Sequence, residues 1–281
     1  MDRIARTWLF VPGADEAAHA AVARSGSDVL IQELEDFTPP ELRASARSLA
    51  AGLYERWRKS GALAAVRVNP LETCGREDLA AVLAGKPDFV FMSKVEAPEQ
   101  VRALAQAAPG FDLVPNVESA RGLLRIQEIA RASPRVVALL VASEDMVADL
   151  GTSRSRGGEE LAYVRQRFLV ECRAARVEAI DAPYTFSDVK GAVADAKWAN
   201  RMGYRMKSLV DPAHARPLNK ALTPDLARAA RIVAAFEKAR AQGRERARVG
   251  GALIEVPIYA AAKRTLASAA HTPPQRRKRR G

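Results

Sequence analysis

The sequence predicts an α/β protein: one closed (β/α)8 TIM barrel followed by a short C-terminal extension. Three observations carry this expectation. Eight short, β-prone apolar runs alternate with eight longer stretches of helical period. The runs are apolar almost throughout rather than at alternate positions, so both their faces are buried, as in parallel sheets covered by helices. Charged and amide residues gather at the C-terminal ends of the runs, the one face of a barrel where loops meet. The 281-residue length accommodates a barrel of about 250 residues.

The elements follow in order. TWLFVP (7–12) leads into a helix candidate at 15–25, and VLIQELE (29–35) ends in Glu35 and Asp36 before a helix at 41–58. AAVRVNP (64–70) carries Arg67 and Asn69 and precedes a helix at 76–84; FVFMSKV (89–95) delivers Lys94, then Glu96, before a helix at 98–107. DLVPNVE (112–118) closes on Glu118 ahead of a helix at 120–132, and VVALLVAS (136–143) is followed by Glu144 and Asp145 before a helix at 159–176. EAIDAPY (178–184) contains Asp181 and leads to a helix at 188–202; YRMKSLV (204–210) is followed by Asp211 and a last helix at 224–241. An open doubly wound sheet is the weaker alternative, because VPGADEAAH offers one glycine where a dinucleotide fingerprint needs three.

These limits make residues 1–241 the barrel and catalytic domain. Residues 242–254 (QGRERARVGGALI) read as a flexible link into a helix-prone patch, so 242–270 is expected to be a linker and lid-like segment. The tail 271–281 is expected to be disordered: it has no apolar face, and its five basic residues at 276–280 supply nearly half of the net charge of +11. Solvation is its simplest role and nucleic acid is not the expected partner. No run reaches the roughly 20 apolar residues of a membrane helix, and MDRIARTWLFVPG is too short for a signal peptide. Cys74 and Cys172 stand in unrelated contexts, so neither a disulfide framework nor a zinc site is expected, and the default location is the cytoplasm.

Glu118 and Asp145 carry the chemistry. A carboxylate ending a buried strand is costly unless something there needs it, and a hard divalent cation is the commonest such need. Two neighbouring strands giving one oxygen ligand each would leave most of a Mg²⁺ shell open to water and substrate. The plainer readings are a surface acid for Glu118, a helix cap for Asp145, and a salt bridge with Glu35 or Asp36 for Arg67.

Taken together, RTWLFVPG, ELED, RVNP, a strand ending in KVE, VESA, SEDMVADLG and YVRQRFLVECRAA resemble the citrate lyase β-subunit family over residues 6–266. That family also contains malyl-CoA and citramalyl-CoA lyases and is related to hydroxy-oxo-acid aldolases. The resemblance implies a Mg²⁺-dependent carbon–carbon lyase that cleaves a citryl-, malyl- or citramalyl-type thioester into a 2-oxo acid and an acyl thioester. It implies Glu118 and Asp145 as metal ligands and Arg67 as the grip on the oxo-acid carboxylate. Glu35 and Asp36 would support the metal and its waters, and Lys94 would contact substrate. Glu255 would act as acid or base, delivered on a lid from a neighbouring subunit of a trimer or hexamer. The carrier would be CoA or an acyl-carrier protein.

Departures from the family pattern accompany the match. Asp15 and Ala21 stand where relatives carry an Arg and a Lys that hold CoA phosphates, and an aspartate there would repel a phosphate. Glu33 replaces an aspartate, Ser143 a glycine and Asp211 a histidine. They keep two further readings open: a class II-type aldolase acting on free hydroxy-oxo acids, and a catalytically silent scaffold.

Overall fold

The computed structural model describes residues 5–270, so the expected basic tail lies outside the described residues. All eight apolar runs form strands: β1 (Thr7–Pro12), β2 (Val29–Glu33), β3 (Leu63–Val68), β4 (Phe89–Met92), β5 (Asp112–Val117), β6 (Ala138–Val141), β7 (Glu178–Asp181) and β8 (Met206–Leu209). Each pairs in parallel with the next, and β1 pairs with β8, closing the barrel. Most strands stop short of their runs because the polar ends leave the ladder to build the rim. At β2, for example, the Glu35 and Phe37 N–H groups donate to the Glu33 carboxylate instead of to β3.

The alternation along each strand sorts the core into two layers. Leu9, Val66, Val90, Leu139 and Leu209 pack in one cluster with helix residues such as Leu53, Trp57, Leu104 and Phe168. The intervening positions fill the barrel interior, where Trp8 meets Phe89 and Phe91 at ring distances of 5.0 and 5.7 Å.

The helices are α1 (Glu16–Val22), α2 (Arg43–Lys59), α3 (Gly75–Val82), α4 (Pro98–Ala107), α5 (Ala120–Leu124), α6 (Ile126–Arg131), α7 (Glu144–Asp149), α8 (Ala162–Ala175), α9 (Val189–Met202) and α10 (Ala215–Leu222). The expected helix at 120–132 breaks at Arg125, which leaves the helical region with φ −115°. α7 is the short helix expected to follow Asp145. α10 has no counterpart among the expected elements, because Pro217 obscures it. That proline lies in the first turn, where its missing N–H has no intrahelical partner to lose.

The barrel's last helix is therefore α10, and its compact unit spans Ala5–Leu222 rather than reaching residue 241. The helix expected at 224–241, α11 (Leu226–Ala241), belongs to a second unit beginning at Thr223. The segment read as a flexible link forms a hairpin of β9 (Ala247–Val249) and β10 (Ala252–Ile254), followed by α12 (Val256–Ala270). Gly250 and Gly251 join the two strands with φ of 55° and 81°, as a two-residue hairpin turn requires. Ala229, Ile232, Phe236, Ile254 and Ala262 form this unit's small core, with Phe236 stacked on Tyr259 at 4.6 Å. Among the described residues no helix is long and apolar enough to cross a membrane.

One glycine fixes the rim beside β3. A Cβ on Gly75 would lie 2.0 Å from the Asn69 carbonyl oxygen, and the Asn69 side-chain amide in turn donates to Leu34 O and Asp78 Oδ2, both at 2.8 Å. Gly75→Ala should therefore cost about 1–3 kcal/mol of stability through forced backbone movement. Urea denaturation checks it; an unchanged midpoint would show that the loop yields freely.

Candidate functional site

The site is built around Arg67. On β3 it faces Glu33 of β2, its direct cross-strand partner. Nε donates to Glu33 Oε1 at 2.9 Å, Nη2 lies 3.2 Å from Glu35 and 3.6 Å from Asp36, and Nη1 lies 3.6 Å from Glu118. Its guanidinium carbon sits 4.9 Å from the Phe10 ring centroid. Burial lowers the Arg67 pKa, but Glu33, Glu118 and Glu35 more than reverse this, so the group is a permanent cation. The salt bridges with Glu35 and Asp36 that form the plainer reading of Arg67 thus exist, and the same side chain also lines the cavity described below.

Glu33 is the partner that the sequence reading noted only as a departure. Besides Arg67 it accepts from the N–H groups of Glu35 at 2.6 Å and Phe37 at 2.5 Å. It thereby fixes both the guanidinium and the loop that carries Glu35 and Asp36. The signal that points to it is register: aligned strands place Glu33 beside Arg67 on the interior face.

Glu118 follows β5 and is 3% exposed. Its Oε1 accepts from Asn116 Nδ2 at 3.3 Å, whereas Oε2 is buried with no hydrogen-bond partner. Burial is the main cause that lifts its pKa to about 7; Arg67 opposes this, and the Glu35 and Asp145 charges add to it. Asp145 lies half-buried in the first turn of α7, whose N-cap is Ser143, so its expected alternative as the cap itself does not hold. Lys94, at positive φ of 55°, pairs with Glu35 and lies 3.6 Å from Asp36. Burial lowers the Lys94 pKa, but these carboxylates and Asp145 raise it to about 12.

Five carboxylates, Glu33, Glu35, Asp36, Glu118 and Asp145, thus share two cations, Arg67 and Lys94. The excess negative charge, the all-oxygen donor set and the orphaned Glu118 Oε2 fit a hard divalent cation. Among the described residues no three His, Cys, Asp or Glu side chains form a ready metal cage. A cation held by Glu118 and Asp145 would keep the remainder of its shell for water and substrate.

A cavity of about 270 Å³ opens beside this cluster. Its charged lining is Asp36, Arg67, Glu144 and Asp145, and its apolar lining is Phe10, Phe37, Leu140, Ala142, Pro183 and Val210. Glu144 is fixed by Thr185 Oγ1 at 2.8 Å and Arg154 Nε at 3.3 Å.

The remaining strand-end groups serve the scaffold. Glu96 accepts from Ser119 Oγ at 2.6 Å, and Asp211 caps a short turn through Ala213 N at 2.8 Å. Asp181 points outward, into a buried network with Arg165, Lys207 and Asp195 between barrel and helices. Glu255 precedes α12 in the second unit, exposed and 3.1 Å from Arg246.

The raised Glu118 pKa has a thermodynamic consequence. A carboxyl at about 7 when folded and 4.5 when unfolded makes the native state bind its proton more tightly. The stability this contributes is present at low pH and is lost as pH rises from 4.5 to 7, about 3 kcal/mol in all. In EDTA, Glu118→Gln should consequently melt higher than the wild type at pH 8 and alike at pH 4. Equal melting temperatures at pH 8 would contradict the buried, unpartnered carboxylate.

Residues 6–212 match the family model HpcH/HpaI aldolase/citrate lyase. The chain is 32% identical over 270 residues to a (3S)-malyl-CoA thioesterase of Cereibacter sphaeroides, covering 94% of each chain. It is 28% identical over 288 residues to the citrate lyase subunit beta of Leuconostoc mesenteroides, covering 96% of this chain and 95% of the relative. Among solved structures, CitE of Mycobacterium tuberculosis in complex with magnesium, acetoacetate and coenzyme A superposes with a TM-score of 0.79 at 28% identity, over 96% of this chain and 100% of that one. The M. tuberculosis citrate lyase beta subunit complexed with oxaloacetate and magnesium matches with a TM-score of 0.68 at 30% identity, over 79% of this chain and 99% of that one.

Proposed function

Since the chain belongs to the HpcH/HpaI aldolase/citrate lyase family, we propose that it is a Mg²⁺-dependent carbon–carbon lyase cleaving a β-hydroxy acyl thioester into a 2-oxo acid and an acyl thioester. The observation that carries this reading is the buried, unpartnered Glu118 Oε2, set among an excess of carboxylates, in a carboxyl whose other oxygen lies 3.6 Å from Arg67. Magnesium-bound relatives support the choice of metal.

Glu118 and Asp145 would hold the ion. When bound, Mg²⁺ supplies Lewis acidity toward the substrate's hydroxyl and carbonyl oxygens. Arg67, clamped by Glu33 and backed by Phe10, offers a planar fork toward the oxo-acid carboxylate that lysine would not reproduce. Its permanent charge would also stabilise negative charge on the departing oxo acid. Glu35 and Asp36 orient Arg67 and Lys94, so Lys94 would reach substrate only by exchanging a carboxylate partner. Glu255 would return a proton to the enolate carbon of the acyl half, carried by the C-terminal segment acting as a lid from a neighbouring subunit. A cytoplasmic homotrimer or hexamer completes this reading.

The second reading, an aldolase acting on free hydroxy-oxo acids, is favoured by Asp15. Its side chain is committed to capping α1, accepting from Ala18 N at 2.9 Å, where the resemblance expects a phosphate-binding arginine. Incubation with malyl-CoA or citramalyl-CoA and Mg²⁺ tests the two, with oxo acid and free thiol assayed separately. The lyase should release oxo acid without free thiol, and only with Mg²⁺. Free thiol without oxo acid would mean hydrolysis, as the name of the C. sphaeroides relative implies for that protein. Turnover of free hydroxy-oxo acids alone would establish the second reading, and no turnover at all would leave a silent scaffold.

A further inference from the structure

Among the described residues, the cavity that receives the oxo acid under the lyase reading is lined by a single cation. Its charged lining consists of Arg67 against Asp36, Glu144 and Asp145. Arg67 is already shared among Glu33, Glu35, Asp36 and Glu118. Two further described cations are engaged as well: Lys94 with Glu35 and Asp36, and Arg154 with Glu144 and Glu160. The hydroxyls of Ser143 and Thr185 both donate to Glu144 Oε1, at 3.4 and 2.8 Å.

With the head group of a small 2-oxo acid at Arg67 and Asp145, most of the lining left for the rest of the molecule is apolar: Phe10, Phe37, Leu140, Ala142, Pro183 and Val210. A methyl or ethyl substituent would bury apolar surface there. A second carboxylate would lose its hydration against apolar lining or meet Glu144, with no second cation among the described lining residues to receive it. We propose that this site selects monocarboxylic 2-oxo acids with a small apolar substituent, of the pyruvate and 2-oxobutyrate type, and rejects dicarboxylic ones such as oxaloacetate. This rests on the lyase reading and narrows it to citramalyl-type substrates, excluding the citryl type.

Titration calorimetry on the full chain with Mg²⁺ tests this, using pyruvate, 2-oxobutyrate, oxaloacetate and 2-oxoglutarate as ligands. Pyruvate and 2-oxobutyrate should bind at least about tenfold tighter than either dicarboxylate, a gap of roughly 1.4 kcal/mol. Val210→Lys, which adds a cation to the apolar lining, should close or reverse that gap. Should that variant fail to fold, Glu144→Gln, at an exposed position, should narrow it by removing the facing charge. Dicarboxylates that bind the wild type as tightly as pyruvate, or a gap that neither folded variant changes, would overturn the selectivity while leaving the lyase reading intact. No binding of any oxo acid in the presence of Mg²⁺ would overturn both.

Discussion

Asp145→Asn and Glu118→Gln should each abolish Mg²⁺ binding by calorimetry and lower turnover roughly 10³-fold, since a metal's contribution of several kcal/mol to the transition state would be lost. Neither change removes apolar volume, and Arg67 keeps Glu33, Glu35 and Asp36 when Glu118 is neutralised, so far-UV circular dichroism should not change. The two variants differ in one respect. In the absence of metal Glu118→Gln should gain stability at pH 8, because the wild-type carboxyl is buried and its charge disfavoured. Asp145 is half-buried, and no such gain is expected from its substitution. Wild-type Mg²⁺ affinity in both variants would remove these residues from any metal site.

The second large effect is structural. Asp181, fully buried, accepts from Arg165 Nε at 2.8 Å, Arg165 Nη2 at 2.6 Å and Lys207 Nζ at 2.7 Å. Lys207 also donates to the Ala182 carbonyl and lies 2.6 Å from Asp195. Burial lowers the Arg165 pKa, but Asp181 and Asp195 raise it overall, keeping the cation charged. Asp181→Ala would leave Arg165 and Lys207 buried with only Asp195 between them, at a cost of about 3–5 kcal/mol. A fall of that size in unfolding free energy by urea titration is expected. A loss under 1 kcal/mol would mean that water reaches the network and replaces the missing carboxylate.

These two predictions separate groups that the linear chain presents alike. Glu118 and Asp181 are both acids at strand ends, and both stood among the polar residues expected on the barrel's catalytic face. Strand parity divides them: Asp181 shares the outward face with Ala179, which packs into the cluster between strands and helices. Glu118 instead comes within reach of Arg67 and its Oε2 is left without a partner. Parity can be counted along one strand, but which parity faces inward depends on the neighbouring strands and the covering helices.

What the sequence alone determined is the alternation: eight apolar runs, buried on both faces, each followed by a helix or a rim loop. Side-chain periodicity and the residues that break it are local properties, so strand positions and the polar rim could be read directly. The resemblance of short motifs in order added the family and the expected roles of Glu118, Asp145 and Arg67. Tertiary structure decided the rest. It made Glu33 the clamp on Arg67 through cross-strand register, sent Asp181 into a scaffold network, and ended the barrel unit at Leu222 because α10 supplies its last helix. The structure also turned the Gly250–Gly251 segment from a link into a hairpin. The hairpin pairs Val249 with Ala252 and turns on two adjacent glycines, a local signal. All but the hairpin rest on contacts between residues distant in the chain, whose energies no local pattern records.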